Sequence, residues 1–181
     1  MGPPGVGKGT QAKIIKDKLR ITHISTGELL RQEIAETTEI GIVAKKYIDQ
    51  GKLVPDNYLF TIVNERLGRS DCKDGYILDG FPRTLNQANG LEKIMAGFED
   101  SLNRAISLYA DEDALVERLV KRGENSGRSD DTSNIIRNRQ KIYWQQTAPL
   151  LDFYKERGLL DNINGLGEIK EITERILTAI R

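Results

Sequence analysis

Gly2, Gly7 and Lys8 stand at the spacing G-x-x-x-x-G-K within GPPGVGKGT at residues 2–10. That spacing suits a loop whose backbone N–H groups cradle a phosphate while the lysine ammonium reaches the terminal phosphates. Pro3, Pro4 and Gly5 cannot continue a helix and favour a tight turn. Gly5, Gly7 and Gly9 let the backbone approach an anion closely. Residues 10–19 then read as a helix whose positive N-terminus faces the loop. A glycine-rich surface turn is the plainer alternative. The common motif places Ser or Thr directly after the lysine to ligate magnesium; here Gly9 stands there and Thr10 follows.

Further segments carry residues suited to anions. HISTGELLR (23–31) offers Ser25 and Thr26 as helix caps, Glu28 in the first turn and Arg31 about one turn on. GYILDGFPRT (75–84) reads as a strand ending in Asp79, then a turn, then Arg83. An acid at the carboxyl end of a strand, near a phosphate loop, suits magnesium held directly or through water. A structural ion pair between Asp79 and Arg83 is the alternative. RLVKRGENSGRSDD (118–131) carries Arg118, Arg122 and Arg128, with Arg137 and Arg139 just beyond. Arginine clusters suit bidentate phosphate contacts; a solvated charged face is the plainer reading, and it is preferred for Arg118 and Arg137. His23 has no Ser or Cys partner pattern for a nucleophile–base pair. Cys72 reads as a loop or packing residue, and Trp144 as packing within a long helix.

Four short apolar runs bounded by turn residues must position these groups: THIS (22–25), GYILD (75–79), AISLY (105–109) and LLDNI (159–163). Helical patterns separate them. Leu59, Ile62, Val63 and Leu67 repeat at helical spacing after Pro55 and Asp56. Leu115, Leu119 and Val120 follow three acids at 111–113, and Ile169, Ile172, Ile176 and Ile180 space a C-terminal helix. Alternation of this kind predicts an α/β fold with a parallel sheet between helices, its ligands at the carboxyl ends of the strands.

Composition narrows the partners. The 181 residues suit one domain. Lys plus Arg and Asp plus Glu each number 27, so no net field favours nucleic acid or an anionic membrane. A single cysteine excludes an internal disulfide and a zinc site built on several thiolates. With no long apolar run and no signal peptide, a cytoplasmic setting is expected.

Taken together, these segments resemble the adenylate kinase family. GPPGVGKGTQ, ISTGELLR, GKLVPDNYL, LDGFPRTLNQA, RGENSGRSDD and TAPLLDFY follow the family's order and spacing over nearly the whole chain. The family's own loop places Gly then Thr after the lysine, so Gly9 is an expected feature. The resemblance implies a three-layer P-loop NTPase fold with a central five-strand parallel sheet, helices on both faces and two small mobile lids. The lids would be residues 25–54 over AMP and 122–132 over ATP. It implies reversible phosphoryl transfer from Mg-ATP to AMP, giving two ADP, by a monomer without zinc. Gly5, Val6, Gly7, Lys8, Gly9 and Thr10 would hold the ATP phosphates, and Gly167 the adenine edge. Thr26, Arg31, Lys52, Leu53, Val54, Gly80, Phe81, Pro82, Arg83 and Gln87 would line the AMP site. Arg122 would close on ATP, while Arg128 and Arg139 reach the AMP side and the transferred group. With Lys8 and Arg83, these arginines would form the catalytic set. Asp79 would hold magnesium through water.

A UMP or CMP kinase shares every phosphate-handling residue. Gln87 suits adenine, since one amide offers both a donor and an acceptor, with an exposed helix residue as the alternative; Thr26 and Thr84 resemble adenylate rather than uridylate–cytidylate kinases. A P-loop switch without an acceptor is a rival of another class; Arg31, Arg83, Arg128 and Arg139 speak against it. In the family an apolar strand runs into the phosphate loop at the sheet centre, and here Met1 alone precedes Gly2. The expectation is therefore a vacancy between the strands at 75–79 and 105–109 and a chain lacking its first strand, which leaves an inactive fragment as a further alternative.

Overall fold

A computed structural model describes residues 1–111, 115, 118, 119 and 132–181. The predicted Arg122 and Arg128, the Val120 of the Leu115–Leu119 pattern, and residues 122–131 of the short lid lie outside the described residues.

Four strands form where the apolar runs predict them: β1 (Thr22–Ser25), β2 (Tyr76–Asp79), β3 (Ala105–Tyr109) and β4 (Leu160–Asn164). They make two parallel two-stranded sheets, β1 with β2 and β3 with β4. In the first, Ser25 lies opposite Asp79, so both strands end at one rim. In the second, Ala105 lies opposite Leu160. One continuous five-strand sheet was expected; four described strands in two pairs are found. A cavity of about 700 Å³ separates β2 from β3, lined by Ile15, Tyr76, Ile77, Ala105, Ile106 and Tyr154 among others. Met1 enters its carboxyl end: its amino group donates to the Ile106 carbonyl, and Leu108 N–H donates to the Met1 carbonyl at 3.0 Å.

The helices follow from local signals. α1 (Lys8–Leu19) begins at Gly7, whose φ of 98° is reached readily only by glycine. α2 (Thr26–Ala35) and α3 (Glu39–Ile48) are capped by the hydroxyls of Ser25 and Thr38. α4 (Asp56–Leu67) follows Pro55, and α5 (Leu85–Gly97) is capped by Thr84. α6 (Ser133–Ile142) continues into one wide π turn over Tyr143–Thr147, then α7 (Pro149–Glu156). A reciprocal capping box between Glu168 and Glu171 starts α8 (Ile169–Ala179).

One core cluster joins Ile24, Leu59, Ile62, Val63, Phe81, Leu91 and Met95 between the first sheet and α2–α5. A second joins Val6, Ile15, Leu108, Leu115, Ile172 and Ile176 around α1 and α8. The stripe of α4 is buried throughout, whereas Ile169 is 54% exposed because it stands in the first turn of α8. Trp144 also departs from expectation. It lies on the π turn, 57% exposed, with its ring edge-on to Tyr143. Cys72 is buried, and its Sγ donates to the Arg66 carbonyl. Among the described residues, no helix is long and apolar enough to cross a membrane.

Candidate active site

A cleft of about 670 Å³ opens at the carboxyl ends of β1 and β2. The loop at residues 2–7 and the first turn of α1 form one wall. The N–H groups of a helix's first turn point out of its N-terminus, so the first turn of α1 at Lys8, Gly9 and Thr10 suits an anion. No acidic residue stands in that turn to compete. Lys8 Nζ donates to the carbonyls of Gly2 and Pro3 at 2.6 and 2.9 Å. The ammonium thus lies folded along its own loop, where an anion in the cradle would draw it forward.

Asp79 ends β2 and faces α1. A side-chain carbon on Gly9 would begin 3.3 Å from Asp79 Oδ2. His23 Nε2 lies 3.5 Å from the same oxygen, and both side chains are largely buried. Burial alone would raise the carboxyl, but the His23 imidazole, the Lys8 ammonium and the amino terminus outweigh it and hold Asp79 below the usual carboxylate range. An ionised carboxylate lining this cleft fits magnesium, which keeps several waters and takes one or two carboxylates with substrate phosphates.

The cleft lining also carries cations. Arg31 from α2, Lys52 after α3, Arg83 before α5 and Arg139 from α6 all line the cleft, as do Gly51, Leu53, Gly80, Phe81 and Pro82. Arg83 sits on a loop with no strand ladder to hold it, and side chains do that work. Its N–H donates to Gln87 Oε1 at 2.7 Å, its carbonyl accepts from Thr147 Oγ1 at 2.9 Å, and its Nε donates to the Gly80 carbonyl at 2.7 Å. Gln87 is fully buried; its Nε2 donates to Asp56 Oδ1 at 2.7 Å. Asn138 of α6 donates to the Gln50 carbonyl at 2.6 Å, so the end of the 25–54 segment touches the helix that carries Arg139.

Most expected residues therefore meet in one place. Gly5 to Thr10, Arg31, Lys52, Leu53, Asp79 to Arg83, Arg139 and Gly167 line a single cleft. Thr26 and Val54 are buried beside it, and the Thr26 hydroxyl reaches the Asp79 carbonyl at 3.4 Å. Arg118 also lines the cleft and donates to the Gly165 carbonyl. Sequence reasoning missed Asp56 and Thr147, which brace Gln87 and Arg83. Asp56 reads only as a helix-start acid, and Thr147 sits inside TAPLLDFY without a motif role of its own.

The family model for adenylate kinase matches residues 1–159. An adenylate kinase of Leptospira biflexa is 49% identical over 180 residues, covering 99% of this chain and 97% of that protein. Adenylate kinases of Bifidobacterium longum and Stenotrophomonas maltophilia are each 46% identical, over 98% and 100% of this chain and 96% and 97% of theirs. Matched by that model over residues 1–159 and by such relatives over 98–100% of its length, the chain is a member of the adenylate kinase family.

Proposed function

We propose that the chain catalyses reversible transfer of a phosphoryl group from Mg-ATP to AMP, yielding two ADP. One observation carries this: the loop at 2–10 and the basic residues Arg31, Lys52, Arg83 and Arg139 line a single cleft. A nucleotide switch has no second anion to hold; a kinase has two. In this reading the enzyme is a monomer acting on free nucleotides in the cytoplasm.

Phosphoryl transfer asks little covalent chemistry of the protein. It needs two phosphate chains held in line and the charge on the transferred group neutralised. Gly5 to Thr10 cradle the ATP phosphates, with Gly167 at the adenine edge. Thr26, Arg31, Lys52, Leu53, Val54, Gly80 to Arg83 and Gln87 form the AMP side. Lys8, Arg83 and Arg139 spread positive charge around the moving group, joined by Arg122 and Arg128 in this reading. Asp79 would hold magnesium through water; when bound, the ion screens the phosphate oxygens from one another. Closure of 25–54 over AMP, and of 122–132 over ATP, excludes water that would otherwise hydrolyse ATP.

A coupled assay with ATP, magnesium and either AMP, UMP or CMP tests the reading. ADP formation dependent on AMP is expected. Phosphate release without AMP dependence, or preference for UMP or CMP, would replace it with one of the rivals.

A further inference from the structure

We infer that Thr147 is a positioning residue for phosphoryl transfer, acting through the backbone of Arg83. The inference rests on the proposed AMP-side role of Arg83. Residues 80–83 form a loop between β2 and α5, so no ladder fixes the peptide that carries the guanidinium. Two side chains grip that residue from opposite elements. Gln87 of α5 takes the Arg83 N–H, and Thr147 of the π turn donates to its carbonyl at 2.9 Å. Thr147 is 8% exposed and lines the cleft wall beside Arg83.

The wide turn explains how a threonine comes to be there. Tyr143–Thr147 carries one residue more per turn than the helix before it, which rotates Thr147 inward after α6. The segment running into that turn carries Arg139, on the same cleft. The Thr147 hydroxyl therefore ties the loop of one arginine to the helical segment of the other. A guanidinium amplifies small backbone errors at the end of a long side chain, and misplacement by about 1 Å can cost on the order of 10²-fold in rate.

Thr147→Val keeps the side-chain shape and deletes the donor; Thr147→Ser keeps the donor. Expected for Thr147→Val is an AMP KM raised about tenfold and kcat lowered about tenfold, with the ATP KM within about twofold. Thr147→Ser should recover most of both. Double substitution with Arg83→Ala should add little to the AMP KM of Arg83→Ala alone, because the two act as one unit. Parent-like kinetics in Thr147→Val, equal increases in both KM values, or a serine variant as impaired as valine would each overturn the inference. Where the valine variant fails to fold, Thr147→Cys, a weaker donor of similar size, decides: kinetics equal to serine overturn the inference, and intermediate kinetics support it. Arg83→Ala alone separates the two layers. An unchanged AMP KM there removes the Arg83 reading and this inference with it; an impaired Arg83→Ala beside a parent-like Thr147→Val removes only this inference.

Discussion

Asp79 Oδ2 lies 3.3 Å from the point where a side-chain carbon on Gly9 would begin. A side chain at the residue after the phosphate-loop lysine would therefore press on this carboxylate and shift it by a few tenths of an ångström. Gly9→Ala should raise the helix propensity of α1 by up to about 1 kcal/mol while displacing the carboxylate. The expected result is a melting temperature close to the parent's and kcat/KM with magnesium lowered about tenfold or more. Full activity in the alanine variant would show that the carboxylate moves aside at no cost.

Lys8→Met should abolish transfer and leave the fold. The lysine hydrogen-bonds within its own loop, to Gly2 and Pro3. Losing two such bonds, at about 1 kcal/mol each, lowers the melting temperature by about 4–8 °C. Loss of one charge stabiliser at the moving phosphoryl group lowers kcat by ~10²-fold or more. Retention of more than about a tenth of the activity, against that expectation, would remove Lys8 from the catalytic set.

Gln87→Ala carries a double signature. The side chain holds both the Arg83 N–H and the Asp56 carboxylate. Its removal takes a partner from two half-buried groups, at about 1 kcal/mol each, so the urea midpoint should fall. The AMP KM should rise far more than the ATP KM, and preference for AMP over CMP should weaken. A lower midpoint with both KM values unchanged would make Gln87 a brace of the fold alone.

The depressed Asp79 carboxyl gives an acid limb to stability. Its folded-state value lies below its ordinary one, so the unfolded chain takes up the proton first. The contribution is present above about pH 4 and is lost as pH falls through the folded-state value. Urea midpoints at about pH 6 and pH 3 should therefore fall further for the parent than for Asp79→Asn. Equal falls would place the acid sensitivity elsewhere.

The cavity of about 700 Å³ between β2 and β3 has largely apolar walls. An apolar segment of the Met-Arg-Leu-Ile-Phe-Leu type placed ahead of Gly2 should fill it, extending the pairing that Met1 makes with β3. Each buried large side chain contributes ~1.5–3 kcal/mol against ~1–2 kcal/mol per residue of ordering. A rise of about 10 °C in melting temperature, with higher kcat, is the expected outcome. Unchanged melting would mean that the segment stays out of the cleft.

Much of this was legible before any coordinates. All four strands stand within about a residue of their apolar runs because short buried strands need little beyond β-branched and aromatic residues between turns. The phosphate loop was legible because glycine spacing encodes backbone geometry directly. The grip on Arg83 was not. Thr147 lies 64 positions from its partner, and no local period reports so distant a hydrogen bond. Asp56 hid for the same reason, since a helix-start acid explains it fully. Nor was the exposure of Trp144 legible, since no local period announces that it stands in a π turn.

Two short ladders in place of one broad sheet also divide the molecule's hydrogen-exchange behaviour. β1 and β2 share a core with α2–α5, while β3 belongs with α1 and α8. Amides of Ile24 and Leu78 should open with the first unit and those of Leu108 and Ile163 with the second, each with its own protection factor. α1 packs on β1, β2 and α8, so its amides bridge the two regimes. Nucleotide in the cradle at its N-terminus would then slow exchange on both sides at once, joining two separately breathing halves into one cooperative body.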